Sequence, residues 1–495
     1  MQQVEIEMNT AYLEGVRLVQ REWAAAPVSM RVRVMAKLRR RIASGARELA
    51  ETVPTELPGA LSRTVADTLA SEVLPLIEAC RFLERDAAGI LRTKRLGAGG
   101  RPLWLGGVDS RVERAPLGIV LVIGAANYPL FLAGVQTVQA LVAGNAVLWK
   151  PAPGTETPAF ALRTMLIESG LNPELLTLLD PGPETAAGAI SQGVDHVVLT
   201  GSAEAGKAVM RQLAETLTPA TMELSGCDAV FVLPGADLDH AARSVTFGLR
   251  FNGSFTCMAP RRVFLVGMPE ADAEQFEARL ALALEEIESV LLPPKTMKVL
   301  DQMIADARAQ GAEVRVNGIE RWSKSGENRV GVTLMTRATP SMLSMQTDIF
   351  APVLSIMRTA DTGEALAAHA ASPFALTAAV FGPEGKARAF AGKLPTGNVL
   401  INDLIIPTAD PRIPFGGRGR SGFGVTRGAE GLLSMTRPRS IQLQRSRSKR
   451  AYEPAGELHL ELFASLAELL HGVGIRRRWS ALKRVLRAGR KINSG

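Results

Sequence analysis

From residue 8 to residue 90, apolar side chains recur at helical intervals, as Leu13, Val16, Val19 and Trp23 do, and Gly and Pro are few. That spacing predicts helices with one buried face. The cluster Lys37-Leu38-Arg39-Arg40-Arg41 is expected on a solvated helix face. A Gly-rich break with Pro102 fills 97–107, and a short strand or hairpin is expected at 108–113. The period then changes. Ile119-Val120-Leu121-Val122-Ile123 is a continuous, mostly β-branched run, which predicts a strand buried on both faces of a parallel sheet. Helices at 131–143 and 157–169 alternate with strands at 146–149, 175–179 and 196–200. Past Glu223 the alternation resumes, with strands at 229–233 and 262–266, helices near 237–251 and 270–288, and further units to about 400. Strand–helix alternation of this kind predicts doubly wound α/β sheets. Two such domains are expected, with no internal repeat.

A Gly-rich run, Pro414-Phe415-Gly416-Gly417-Arg418-Gly419-Arg420-Ser421-Gly422-Phe423-Gly424, follows Asn402-Asp403, and Arg445-Ser446-Arg447-Ser448-Lys449-Arg450 reads as a flexible boundary. Beyond it lie two amphipathic stretches. The first is acidic, with Leu462, Phe463, Leu466, Leu469 and Leu470 on one face. The second sets Ile475, Trp479, Leu482 and Leu486 among arginines and lysines. The expected division is a cofactor-binding domain at 1–224 with a bridging segment at about 103–113, and a catalytic domain at 225–402. A return and oligomerisation segment at 403–444 and a basic amphipathic tail at 445–495 complete it.

Charge is uneven along this pattern. Residues 445–495 carry twelve Lys or Arg against four Glu, while the other 444 residues hold 45 of each sign. The net charge of +8 therefore belongs to the tail. Apolar residues make up 46% and charged residues 21%, an ordinary balance for a globular enzyme of 495 residues with a large core. Three scattered cysteines give no disulfide framework and point to a reducing, cytoplasmic setting. The five histidines lack ligand spacing, so no metal site is expected. The opening Met-Gln-Gln-Val-Glu-Ile-Glu lacks the basic and apolar regions of a signal peptide. The longest apolar run, 117–126, falls short of the roughly 18–20 residues of a membrane span.

Several residues stand out chemically. Gly201-Ser202-Ala203-Glu204-Ala205-Gly206-Lys207-Ala208 follows a strand and opens a helix, a natural anion cradle. It is nearly a phosphate-binding P-loop, but Ala208 stands where a hydroxyl must hold Mg²⁺, which argues against a triphosphatase. Taken singly, Cys257 is equally a small buried hydrophobe, Asn127 a turn cap and Glu223 a solvated loop carboxylate. Together they say more. Glu223-Leu224-Ser225-Gly226-Cys227 lies upstream of Asn252-Gly253-Ser254-Phe255-Thr256-Cys257, and Asn127-Tyr128-Pro129 precedes both. Ala259 and Arg262 follow the thiol.

This constellation resembles the aldehyde dehydrogenase superfamily, most of all its class 3 branch of fatty and aromatic aldehyde enzymes, over 112–437. The resemblance implies cofactor and catalytic α/β domains with a small bridging element. It makes Cys257 the nucleophile that attacks the aldehyde carbon and Asn127, beside the Cys257 N–H, the oxyanion donor. Glu223 is the base that activates water against the thioester, and relatives that pass the acyl group to coenzyme A do not use it. Gly201 and Ser202 would face the cofactor pyrophosphate, with Leu224 also on the cofactor side. Lys150 would meet the adenine-side ribose. Asp348 and Phe350 would hold the nicotinamide ribose and ring. NAD or NADP is the implied cofactor. Pro153 replaces an acid that binds the ribose in NAD-preferring relatives, with Glu156 nearby, so NADP is expected to serve at least as well as NAD.

Other departures are Asp348 for Glu, Ala351 for Gly, Ser254-Phe255 for Gly-Gln, and Ser225-Gly226-Cys227 for Gly-Gly-Lys. Phe255 adds apolar bulk beside the thiol. The expected reaction is NAD(P)-dependent oxidation of a hydrophobic (fatty, aromatic or isoprenoid-type) aldehyde to its acid. An acyl-CoA-linked enzyme and a tail-anchored cofactor-binding pseudoenzyme are the alternatives. The resemblance also implies a homodimer formed through 108–113 and 425–440. The basic helix over 475–491 is read as seeking an anionic membrane surface at the inner face, against a solvated tail, and nucleic acid is not an expected partner.

Overall fold

The computed structural model describes residues 10–55, 63–316, 319–321, 328–445 and 454–494. The chain groups into two units, 1–92 with 113–439, and 93–112 with 440–495.

In the first unit, helices Thr10–Ala25, Val28–Ser44 and Leu74–Ile90 realise the helical spacing at the start of the chain. Leu38 is buried while Lys37, Arg40 and Arg41 are exposed, so the basic cluster does lie along a solvated face. A six-stranded sheet follows the order Gly422–Phe423, Ala220–Leu224, His196–Gly201, Ile119–Ile123, Ala146–Lys150, Leu176–Leu178. All its pairings are parallel except that of Gly422–Phe423. From Ile119–Ile123 the chain builds outward to Leu176–Leu178, then returns to lay His196–Gly201 on the other side of the first strand. That reversal is the topological switch point at which open α/β sheets bind ligands beyond the carboxyl ends of their strands. Every residue of Ile119–Ile123 is buried, as the β-branched run requires. Helix Phe131–Ala143 is buried on all sides, which explains its mostly apolar sequence.

A seven-stranded sheet follows the order Glu313–Val316, Thr333–Thr336, Val353–Thr359, Pro260–Val266, Asp228–Val232, Thr377–Phe381, Asn398–Ile401. Its parallel centre is packed by Phe231 and Phe264, whose rings stack with centroids 4.9 Å apart. The expected helix over 270–288 is Glu270–Glu285, and the strand expected at 229–233 is Asp228–Val232.

In the second unit, Lys94–Leu96 pairs antiparallel with Val108–Pro116, and Thr436–Gln444 is the third strand of that sheet. Helices Glu457–His471 and Ile475–Ser494 form an antiparallel hairpin, pinned by an Arg484–Glu468 ion pair and by Arg478 Nε donating to the Leu469 carbonyl at 2.8 Å. The expected flexible boundary beyond Arg445 falls outside the described residues.

Candidate active site

Glu223 sits in the buried strand Ala220–Leu224, opposite Gly422 on the antiparallel edge. Gly422 has φ +102°, and a Cβ there would lie 1.9 Å from the Met222 carbonyl oxygen, so only glycine lets this short strand approach. Thr426 Oγ1 donates to Glu223 Oε2 at 2.9 Å. Glu223 Oε1 is buried without a hydrogen bond among the described residues. Burial pushes the carboxyl well above the usual carboxylate range, and the Arg427 charge is the largest influence pulling it back.

Cys257 follows helix Leu238–Arg250 across a tight turn in which Asn252, Gly253 and Ser254 all have positive φ, at 51°, 59° and 65°. Two of these carry side chains, so the turn is strained and must be held from outside. The holding groups are arginines and an asparagine. Arg63 donates through Nε and Nη2 to Asn252 Oδ1 at 3.1 and 2.8 Å, and Arg261 donates to Ser254 Oγ and to the Ser254 carbonyl, both at 2.7 Å. Asn252 Nδ2 donates to the Asn127 carbonyl at 3.1 Å. Thr256 Oγ1 and the Tyr128 hydroxyl are 2.7 Å apart. Burial, and next the Glu223 charge, raise the Cys257 thiol above its ordinary range.

Cys257 and Glu223 open onto one cavity of about 760 Å³. Its wall is largely apolar: Tyr128, Phe131, Phe247, Phe251, Ile405 and Phe415 among others. Ile405 is itself strained, at φ +62° and ψ −61°, and the Ile406 N–H closes a tight γ-turn on the Leu404 carbonyl at 2.6 Å. Asp67, Glu286, Glu288 and Arg250 are the exposed charges of the lining. Asn127 is not part of the wall but adjoins it. Its carbonyl receives Arg63 Nη2 at 2.9 Å, its Oδ1 receives the Tyr128 N–H at 3.1 Å, and its Nδ2 makes no hydrogen bond among the described residues.

Of the residues expected to face the cofactor, Lys150, Gly201 and Leu224 end parallel strands of the six-stranded sheet. Gly201 ends strand His196–Gly201, and Ser202 caps helix Ala203–Thr216 by accepting from the Ala205 N–H at 3.2 Å. Leu224 covers Gly206, where a Cβ would lie 2.8 Å from Leu224 Cδ1, so helix and strand pack closely. Lys150 ends strand Ala146–Lys150, buried and without a hydrogen bond among the described residues. Burial lowers its pKa, while Glu184 and then Glu156 act to raise it. A lysine with a buried stem, whose ammonium has no acceptor among the described residues, fits a dinucleotide rich in hydroxyl and phosphate oxygens. Asp348 is raised by burial and drawn down by a Ser225 hydrogen bond and the Arg261 charge. Phe350 packs on Phe255, with ring centroids 4.8 Å apart. The bulk added at Phe255 is therefore spent on the ring expected to face the nicotinamide.

Sequence reasoning missed four parts of this site. Arg63 and Glu72 form a buried ion pair beneath the nucleophile turn, Glu184 faces Lys150, and Arg427 lies beside the base. No motif announces them. Arg63 and Glu72 look like ordinary helix-region charges, and Arg427 follows the Gly-rich run without a fixed spacing to Glu223.

Known proteins resemble this chain over most of its length. The model described as "Aldehyde dehydrogenase family" matches residues 7–441. A 4,4'-diapolycopene aldehyde oxidase of Methylomonas sp is 30% identical over 439 residues, 86% of this chain and 79% of that protein. A Mycolicibacterium smegmatis protein, provisionally named as an NADP(+) succinate-semialdehyde dehydrogenase, is 29% identical over 446 residues, 87% of this chain and 83% of its own. Among solved structures, a Mycobacterium tuberculosis aldehyde dehydrogenase complexed with NAD+ superposes with a TM-score of 0.76 at 25% identity, covering 88% of this chain and 90% of that one.

Proposed function

Because the chain belongs to the aldehyde dehydrogenase family, we propose that it oxidises a hydrophobic aldehyde to the carboxylic acid, with NAD or NADP, through a thioester on Cys257. The observation that carries this reading is the shared cavity of Cys257 and Glu223 with its apolar wall. In the first half-reaction the Cys257 sulfur, having lost its proton, adds to the aldehyde carbon. Negative charge then develops on the former carbonyl oxygen. The Asn127 amide and the Cys257 N–H are its neutral donors, able to stabilise that charge without trapping it. The bound dinucleotide supplies the hydride acceptor. Lys150, Gly201, Ser202, Leu224, Asp348 and Phe350 are the residues that would hold it. In the second half-reaction Glu223 takes a proton from water. The hydroxide adds to the thioester carbonyl, the C–S bond breaks, and the acid leaves Cys257 as thiolate. One aldehyde and one water yield one acid, with one hydride passed to the cofactor and one proton released to solvent.

The substrate class follows from the wall and the rim. Exposed Asp67, Glu286 and Glu288 outnumber Arg250, which disfavours a short anionic semialdehyde, while the aromatic interior rewards apolar length. Each buried methylene contributes about 0.8 kcal/mol, so kcat/KM should rise roughly fourfold per carbon until the cavity is full. A panel of straight-chain aldehydes run with each cofactor tests this. A preference for succinate semialdehyde over decanal would refute it. Lys150 and the absence of an acid at Pro153 support use of NADP, and the Glu184 charge supports use of NAD as well.

The same proposal includes a membrane surface and a homodimer. Helix Ile475–Ser494 has two apolar stripes. Ala481 and Ala488 are buried, whereas Ile475, Trp479 and Leu486 are 78%, 61% and 54% exposed. The free stripe, flanked by cations, suits the headgroup region of anionic lipid, and it lies beyond the family match. Co-sedimentation with phosphatidylserine vesicles should be lost on truncation after Arg445; equal binding of both forms would exclude it. The exposed strand Thr436–Gln444 offers an edge to a second copy, which sedimentation equilibrium would detect as a mass twice that of the chain.

A further inference from the structure

Arg427 is a buried cation in the reaction cavity to which the chemistry above gives no part. Its placement is elaborate. The backbone takes φ +60°, uncommon for a residue with a side chain, and its N–H donates to Gln139 Oε1 at 3.3 Å. Nη1 donates to the Thr408 carbonyl at 2.7 Å, on the wall segment that carries Ile405 and Ile406. The guanidinium carbon lies 4.1 Å from the centroid of the Phe415 ring and 5.6 Å from that of Phe131. Two aromatic faces offset part of the cost of burying this charge. The preceding residue, Thr426, is the one that hydrogen-bonds Glu223.

Arg427 nevertheless makes no ion pair with Glu223, and its Nε, like Glu223 Oε1, is buried without a hydrogen bond among the described residues. A direct two-pronged pair would hold the carboxylate too firmly to take a proton. A guanidinium set close by, fixed on Thr408 and on two rings, still favours the ionised form in a low-dielectric cavity. We infer that Arg427 is a positioning residue for the hydrolytic half-reaction: its fixed charge favours the ionised form of Glu223 inside an apolar cavity while leaving the carboxylate free to accept a proton. The inference rests on Glu223 being the base of the proposed reaction. The groups facing Glu223 are Arg427, the Thr426 hydroxyl and the Gln136 amide, with the Cys257 thiol across the cavity; Asp228, Arg427 and Asp348 also act on Cys257, and the burst in the test below reports that effect separately. Arg427 is the largest of the influences opposing burial at Glu223.

The test separates thioester formation from hydrolysis. Arg427→Gln, mixed rapidly with decanal and NADP⁺, should give a burst of NADPH near one per site followed by slow turnover. Its steady-state acid limb should move up by about one to three pH units, the effect of removing one nearby opposite charge. Turnover at pH 7 should fall about tenfold or more and recover progressively toward pH 9. Arg427→Lys should restore the position of the limb even though it loses the stacked plane. A limb unmoved in Arg427→Gln, however slow the enzyme, would overturn the inference, as would Arg427→Lys behaving like Arg427→Gln. Glu223→Gln is the separate control. Turnover at the wild-type rate in that variant would refute the base reading itself, independently of Arg427.

Discussion

The nucleophile turn stands on a buried ion pair, and Glu72→Gln tests how much it supports. The Arg63 and Glu72 side chains are 3% and 0% exposed. Glu72 Oε2 also accepts from the Leu130 and Phe131 N–H groups, at 2.8 and 2.9 Å, at the start of helix Phe131–Ala143. Arg63 in turn holds Asn252 and the Asn127 carbonyl. The substitution keeps the shape and removes the charge, leaving Arg63 as an uncompensated buried cation. Breaking a buried pair from one side costs about 3–5 kcal/mol. For a chain of this length the entropy of unfolding is about 1 kcal/mol per degree, so the main transition should drop by about 3–5 °C. Scanning calorimetry reads the shift. Activity at 25 °C should fall further than the loss of folded protein explains, because the three-residue strained turn before Cys257 loses its anchor. The double variant Arg63→Met with Glu72→Leu should cost less than its two single variants together, with a coupling of about 1–3 kcal/mol. A midpoint within one degree of the parent in Glu72→Gln, or strict additivity in the cycle, would refute the reasoning.

Gly422→Ala forces a Cβ onto the Met222 carbonyl and displaces the strand beside Glu223; turnover should fall by about a hundredfold, as for a misplacement of order 1 Å. A variant with normal kcat would count against that placement. Lys150→Met should raise the KM for NADP by roughly tenfold or more while leaving kcat nearly intact, since a charge-assisted contact is worth about 1.5–3 kcal/mol. Unchanged KM would remove Lys150 from the cofactor site. Burial holds His196 at about 4 and His369 at about 3, both below 6.5. The folded protein therefore keeps them neutral where the unfolded chain takes up protons, and stability declines as pH falls from about 6.5 toward 4. His196→Gln should flatten that decline by roughly 3 kcal/mol in denaturant titrations across the window; parallel curves would contradict it.

The parts of this protein that read from sequence are those governed by local period or by short fixed spacing. The β-branched run Ile119–Ile123 allows only one kind of burial, and it and the mostly apolar helix Phe131–Ala143 lie where the pattern puts them. Cys257 and Glu223 each sit in a segment of small residues, and the fold brings them to one cavity. What did not read is long-range charge pairing. Arg63 and Glu72 lie in the helical N-terminal region, before the start of the resemblance at 112, although the family match begins at residue 7. Periodicity there says only that one face is buried, not that a buried arginine reaches across 189 positions to Asn252. Glu184 acts on Lys150, a strand residue, from helix Pro183–Ser191, and the strain at Ile405 comes from a γ-turn that no composition rule marks. The second apolar stripe of helix Ile475–Ser494 was legible, whereas the burial of Ala481 and Ala488 was not, because alanine carries too little apolar weight to declare a packing face.

Thioester formation on one sulfur, with hydrolysis by one carboxylate, is most directly tested by mass. Glu223→Gln enzyme mixed with decanal and NADP⁺ should be quenched in acid, weighed intact and mapped by peptide. The account predicts one decanoyl group per chain, on the peptide containing Cys257, formed only when aldehyde and cofactor are both present and absent in Cys257→Ser. An unmodified Cys257 peptide, or an acyl group on Cys80 or Cys227 instead, would contradict it.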